Sequence, residues 1–283
     1  MINLPFEIDL KDKVAVVTGA GGVLCSLFAK AIARCGAKVA LLDLNLEAAA
    51  KFAADIAAEG GTAKAYAANV LKKETLLEAR EQIRRDFGTC DILVNGAGGN
   101  NPRATTTNEY YLDGDMEKDI TTFFNLEPAG VEFVFNLNFL GTLIPTQVFA
   151  EDMLGKEDAS ILNVSSMNAF TPLTKIPAYS GAKAAVSNFT EWLAVHFSKA
   201  NIRVNAIAPG FFVTAQNQAL LFDEAGNPTA RTAKILNSTP MGRFGEAEEL
   251  IGSLLFLLSK PAAGFITGVV IPVDGGFSAY SGV

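Results

Sequence analysis

Short runs of apolar residues, many β-branched, alternate along the chain with stretches whose apolar positions fall three and four apart. Residues 14–18, 38–42, 63–69, 92–95, 160–165, 203–207 and 269–273 predict strands, and most are continuously apolar, as in parallel strands covered on both faces. Residues 23–35 carry Leu24, Leu27, Phe28, Ala31 and Ile32 at helical spacing, and 46–58, 74–87, 129–153, 178–200 and 246–258 also predict helices. Strands and helices in alternation, joined by right-handed crossovers, predict an α/β fold. Its form is a doubly wound parallel sheet in a three-layer α/β/α sandwich, a single domain over residues 1–283. Two segments break the rhythm: 99–128, Thr-rich and acidic, and 211–247, which holds Gly226-Asn227-Pro228 and Pro240. Both leave strand C-termini, where ligands bind in open α/β sheets, and long loops there predict substrate lids.

Charge and composition narrow the function. With 23 basic and 30 acidic residues the net charge is −7, which argues against a nucleic-acid or anionic-membrane partner. Cys25, Cys35 and Cys90 are too few and too scattered for a disulfide framework or a zinc site, and no other metal-ligand cluster is visible. No basic stretch followed by an apolar one opens the sequence, and apolar runs such as 254–258 fall far short of the ~20 residues a bilayer needs. A reduced, cytoplasmic setting is the expectation.

The first strand runs into Thr18-Gly19-Ala20-Gly21-Gly22 and then a helix. Small residues let a backbone approach a pyrophosphate, and a helix N-terminus offers free N–H groups; the same turn also serves where no ligand binds. Asp43 ends the second strand, 24 residues after Gly19, where a carboxylate accepts from a ribose diol and repels a 2′-phosphate. No Arg or Lys stands at Gly22 or Leu44, so NAD is favoured over NADP, the alternative for Asp43 being a helix cap.

Tyr179-Ser180-Gly181-Ala182-Lys183 places a phenol and an ammonium on one helix face. Bringing a phenol from a pKa of about 10 to about 7 takes roughly 4 kcal/mol, which Lys183 and a nicotinamide cation together are able to supply. Thirteen residues earlier, Ser165-Ser166 offers a hydroxyl to polarise a carbonyl. Asn95-Gly96-Ala97-Gly98 ends the fourth strand, Asn138 lies in a helix, and 203–210 closes on Pro209-Gly210 with Thr214 beyond.

In these motifs, their order and their spacing, from about Leu10 to Gly276, the chain resembles the short-chain dehydrogenase/reductase family, whose fold is of the Rossmann type. The resemblance implies a catalytic tetrad of Asn138, Ser166, Tyr179 and Lys183. Tyr179 is then the acid/base, Ser166 orients the reacting oxygen, Lys183 binds the nicotinamide ribose and lowers the phenol pKa, and Asn138 holds a water relaying protons to Lys183. Cofactor contacts are implied at Thr18, Gly19, Gly21, Gly22, Val23, Leu24, Asp43, Asn69, Val70, Asn95 and Ala97. Pro209, Gly210, Phe212 and Thr214 would receive the carboxamide. A homotetramer is implied as well, with the helices around Asn138 and Trp192 and the segment 273–276 at its interfaces. The family turn Thr-Gly-x-x-x-Gly-x-Gly is altered, with Val23 and Cys25 in place of its last two glycines. A β-branched residue resists positive φ, so the turn must differ locally or use helical φ at Val23.

The segments around Gly99-Asn100-Asn101-Pro102-Arg103, 166–172 and 209–217 look like the branch that interconverts D-mannonate and D-fructuronate with NAD. A sugar acid needs a cation for its carboxylate and amides for its hydroxyls. Arg103 is the expected carboxylate partner, with Lys175 and Arg231 behind it, while Asn101, Asn168 and Gln216 are the expected readers of hydroxyls. Phe170, Phe211 and Phe212 leave an apolar substrate open. The alternatives are gluconate 5-dehydrogenase or 3-oxoacyl reductase chemistry, and, because of the altered turn, a non-catalytic NAD-binding sensor. His196, the single histidine, and Trp192 are expected in structural roles, as is Cys25.

Overall fold

The computed structural model describes residues 8–213, 221–223 and 227–282. Seven strands, β1 (Val14–Thr18), β2 (Lys38–Asp43), β3 (Thr62–Ala67), β4 (Ile92–Asn95), β5 (Ala159–Val164), β6 (Ile202–Pro209) and β7 (Val270–Val273), form one parallel sheet in the order β3-β2-β1-β4-β5-β6-β7. The order reverses between β1 and β4, which pair Thr18 with Asn95, so the crevice expected of this topology opens at their C-terminal ends.

Because side chains alternate across a strand, each central strand feeds two cores. Ala15, Val17, Val39 and Leu41 join Phe28 and Ile32 of α1 (Val23–Arg34), Ile56 of α2 (Leu46–Ala58) and Leu254 of α8 (Glu249–Leu258). Val14, Val16, Ala40 and Leu42 join Leu76 and Ile83 of α3 (Lys73–Asp86) and Leu193 of α6 (Pro177–His196). Each such Leu, Ile or Phe contributes roughly 1.5–3 kcal/mol on burial. Strand β3 departs from the continuous apolar pattern: it alternates exposed and covered positions because it is an edge.

The predicted helix over 129–153 is three pieces end to end: α4 (Pro128–Phe135), a widened π turn (Asn136–Leu140) and α5 (Gly141–Phe149). Pro145 inside α5 removes one backbone donor, and such widened turns gather at functional positions. By length and composition this stretch, Pro128–Met153, is apolar enough to cross a bilayer, contrary to the sequence expectation; half of it is buried inside the protein, as in a core helix.

The described residues of the two long segments hold more structure than loops. In 99–128, Asp115 accepts from Asn108 Nδ2, Leu112 N and Lys118 Nζ, and the lysine beside it holds its carboxyl down at about 2. In 211–247, polarity concealed a helix, α7 (Ala230–Asn237), capped by the Thr229 hydroxyl and anchored through Ile235. The predicted contacts Thr214 and Gln216 lie outside the described residues.

Candidate active site

At the sheet reversal lies a cleft of about 410 Å³ lined by Gly19, Gly22, Val23, Leu24, Asp43, Asn69, Val70 and Ala97, all predicted cofactor contacts. The altered turn resolves by moving the special backbone upstream. Gly19 takes φ +68°, and a Cβ there would stand 2.9 Å from the Ala97 Cα, so only glycine fits. Val23 is the first residue of α1 and needs no positive φ. Gly22 caps α1 with no side-chain bond, whereas α2 is closed by the Asn45 carbonyl oxygen on Ala48 N. The open helix end therefore keeps its first N–H groups and its dipole for an anion in the cleft.

Cys25, in place of the last glycine, packs its sulfur where a Cβ on Gly96 would collide with it. Burial pushes its thiol up to about 12, so it is a packing residue and not a nucleophile. Asp43 accepts from Gly21 N at 2.9 Å through Oδ2 and from Asn45 N at 2.8 Å through Oδ1. Each oxygen keeps a lone pair for a ribose hydroxyl. Gly21 thus orients Asp43 and does not line the cleft.

Three further contacts are corrected. The Thr18 hydroxyl is buried and accepts from Gly96 N and Ala97 N, tying β1 to the β4 turn. Asn95 turns its amide inward, donating at 2.9 Å to both Thr146 Oγ1 and Asn163 Oδ1. A carboxamide buried between neighbouring elements cannot also face a ligand, and the lining passes to Gly96, Ala97 and Gly98. Pro209 ends β6 and Gly210 follows it, but Phe212 lines a separate cavity of about 500 Å³ with Thr239, Met241 and Gly245. Its ring is packed in the core, which corrects its assignment to the cofactor cleft. Cys25, Leu44 and Leu137 line the cleft unpredicted; sequence spacing carries no signal for Leu137, which the π turn delivers.

The four tetrad residues converge. Ser166 follows the end of β5 and acts on the Tyr179 phenol, opposing the rise that burial gives its pKa. Lys183, one turn along α6, sits with Nζ 5.7 Å from the Tyr179 ring centroid and donates to the Val164 carbonyl at 2.8 Å. Asn138 is fully buried in the π turn. A Cβ on Gly98 would come within 2.6 Å of Asn138 Oδ1 and 3.1 Å of Lys183 Nζ, so both groups crowd one glycine and a single water is able to bridge them. Ser165 is excluded from this chemistry, since its hydroxyl is engaged with Ser187 and the Lys183 carbonyl.

Two mechanistic expectations change. Asn138 spends its amide on the carbonyls of Gly99 and Val134, both at 2.8 Å, and its Oδ1 on Gly99 N at 3.2 Å. It is first a clip between the π turn and the β4 loop, with one lone pair left for a water. Lys183 is not what moves the phenol pKa: burial pushes Tyr179 up, and Ser166 opposes it. Burial likewise brings Lys183 down to about 8. A dry phenol beside a dry amine favours two neutral groups, and only a further positive charge in the cleft shifts the pair toward phenolate.

The substrate candidates fare unevenly. Asn168 is buried directly behind Ser166, whose hydroxyl accepts from its N–H, and its Oδ1 is unpartnered and sealed from solvent. The Asn101 carbonyl oxygen caps a short turn, accepting from Arg103 N. Arg103 lines neither cavity; its guanidinium meets Glu127 at 3.5 Å with both side chains about half exposed, a surface pair of little energetic weight.

A family model described as enoyl-(acyl carrier protein) reductase matches residues 24–278. An uncharacterized oxidoreductase of Haemophilus influenzae is 64% identical over 282 residues, covering 100% of this chain and 99% of the relative. A solved structure from Haemophilus influenza, provisionally named D-mannonate oxidoreductase and carrying bound NAD, superposes with a TM-score of 0.95 at 64% identity over 99% of this chain and 100% of the other. A gluconate 5-dehydrogenase from Burkholderia cenocepacia, in complex with NADP and tartrate, gives a TM-score of 0.82 at 28% identity over 96% of this chain and 97% of the other. With the tetrad assembled at a dinucleotide-sized cleft and the likeness running the length of the chain, the protein belongs to the short-chain dehydrogenase/reductase family of oxidoreductases, which act on alcohol and ketone groups.

Proposed function

We propose that the protein interconverts the secondary alcohol of a sugar acid and the matching ketone with NAD(H), D-mannonate and D-fructuronate being the pair. The observation that carries this reading is Lys183 Nζ held 5.7 Å from the Tyr179 ring centroid, with Ser166 just past β5, beside a cleft whose acidic end is Asp43. The NAD-bound relative supports the substrate and the cofactor; the NADP-bound gluconate 5-dehydrogenase is the reason for testing both against their alternatives.

The residues fit a dinucleotide. The uncapped α1 terminus would hold the pyrophosphate, Asp43 the adenosine ribose, Asn69 and Val70 the adenine side, and Lys183 the nicotinamide ribose. NAD(H), when bound, would supply the two-electron acceptor or donor, and its oxidised form would bring a positively charged ring. Ser166 Oγ holds the substrate oxygen, and Tyr179 Oη takes a proton from the alcohol or returns one to the ketone oxygen. Lys183, protonated below about pH 8, stabilises the phenolate form and passes protons outward by way of the space it shares with Asn138.

The test is NADH and NADPH oxidation with D-fructuronate, 5-keto-D-gluconate and a 3-oxoacyl thioester. Preferred turnover of D-fructuronate with NADH is expected, and Asp43→Ala narrows the preference over NADPH. Turnover of the thioester alone, or tight NADH binding with no turnover of any carbonyl, overturns the reading. We further propose a cytoplasmic setting and a homotetramer; the exposed apolar face that Trp192 and Val195 present on α6 supports assembly, which sedimentation reads.

A further inference from the structure

We infer that Asn163 and Thr190 are positioning residues for the reaction, the centre of a buried hydrogen-bonded rail that holds Asn138 and Lys183 in place on either side of Gly98. Their role rests on the Tyr179–Lys183 chemistry proposed above and on no particular substrate.

Every link of the rail is short and dry. The Thr142 hydroxyl donates to the Asn138 carbonyl at 2.9 Å, and the Thr146 hydroxyl donates to the Thr142 carbonyl at 2.7 Å. Asn95 Nδ2 donates to Thr146 Oγ1 and to Asn163 Oδ1, both at 2.9 Å. Asn163 Nδ2 donates in turn to Thr190 Oγ1 at 2.9 Å, and the Thr190 hydroxyl donates to the Val186 carbonyl at 2.8 Å. The side chains along this path are all buried.

Strand register explains why the two amides meet. Asn95 and Asn163 are partners across β4 and β5, and they share a face with Leu93 and Ile161, which pack in the core beneath α3, α5 and α6. Apolar side chains in the same space would serve stability as well as a buried amide pair does, or better. Asn95 Oδ1 shows the penalty, being buried with no hydrogen-bond partner among the described residues. What the amides add is direction, since a hydrogen bond fixes a distance and an angle where methyl groups slide.

The rail is anchored where the site needs precision. Asn138 lies one turn before Thr142, Gly98 three residues after Asn95, and Lys183 one turn before Val186. These are the groups that crowd together, because a Cβ on Gly98 would meet both Asn138 Oδ1 and Lys183 Nζ. A slack rail would let α6 drift from the π turn and widen the space through which Lys183 passes protons outward. Neither Asn163 nor Thr190 lines the cofactor cleft, so the slackening slows turnover without changing what binds.

The experiment compares Thr190→Val, which keeps the shape and loses the hydroxyl, with Thr190→Ser, which keeps the hydroxyl and loses a methyl. The readouts are NADH oxidation with D-fructuronate or, where that is not reduced, 5-keto-D-gluconate, and the solvent deuterium isotope effect on kcat. NADH binding by fluorescence checks folding. Thr190→Val is expected to lower kcat about tenfold and raise the isotope effect, with KM and NADH affinity within about twofold of wild type. Thr190→Ser restores most of the loss. Thr142→Val reads the far end of the rail in the same way and serves where Thr190→Val does not fold. A serine variant as slow as the valine one, or a slow valine variant with the isotope effect unchanged, reduces the pair to packing and overturns the assignment. So does a kcat within about twofold of wild type in the folded valine variants. A wild type that reduces no carbonyl overturns the assignment and the Tyr179–Lys183 chemistry together.

Discussion

The floor and the rim of the cleft are built on opposite principles. On the floor, Asn138, Ser166 and Lys183 are buried, and each is fixed by bonds to backbone or to a neighbour of fixed position. In the outer segments, taken here as the rim, Arg103, Glu109 and Lys234 stand on short turns or on α7, with contacts made among charged side chains. Dry, hydrogen-bonded groups hold a geometry to a fraction of an ångström; solvated ion pairs hold a charge but not a position. The reaction type is therefore written into the floor, and substrate choice is left to the rim, where substitutions cost little stability.

The sharpest test of that division is Tyr179→Phe, which removes one buried hydroxyl and should lower kcat about 10³-fold or more while NADH affinity stays within a few-fold. Residual turnover within tenfold of wild type would show that the floor does not carry the chemistry. Next comes the price of the floor in stability. Lys183 titrates at about 8 in the fold, below the 10.5 of a free lysine, so below pH 8 the folded protein bears the full cost of a dry ammonium. That cost fades as pH rises to 10.5, where the unfolded chain sheds its proton too. Lys183→Met should melt about 5 °C above wild type at pH 7, with the gap closing by pH 10; equal melting temperatures at pH 7 would deny the buried cation.

A smaller effect is expected from Gly98→Ala. The added methyl falls 2.6 Å from Asn138 Oδ1 and 3.1 Å from Lys183 Nζ, and displacing either should cost about tenfold in kcat. Unchanged kcat in a crystal with both groups in place would detach the clip from the reaction. The smallest is at the rim, where Arg103→Ala should alter KM for D-fructuronate less than about twofold. A tenfold rise would return Arg103 to the site and erase the contrast.

The floor was legible in the sequence because strand ends and helix turns place its residues at fixed offsets: Tyr179 and Lys183 one turn apart, Ser166 just past β5, Asp43 at the end of β2. What sequence did not disclose depends on partners distant along the chain. The Asn95 amide reads as a ligand group until Thr146 and Asn163 are seen to claim it. Arg103 reads as a free cation until Glu127, 24 residues on, is found beside it. The π turn is hidden inside an apolar stretch that satisfies helical spacing throughout, with Pro145 as its faint mark. Helix α7 is too polar for its two buried positions, Thr232 and Ile235, to announce it, although Thr229 gives the capping signal.

The contact between Cys25 and Gly96 has a consequence for anyone recombining this scaffold with its relatives. Restoring glycine at Cys25 would leave a void beneath the β4 turn, and giving position 96 a side chain would drive the sulfur out of its slot. The two peptide segments form a matched lock, 71 residues apart in sequence, and a chimaera inherits a sound cofactor turn only when both come from the same parent.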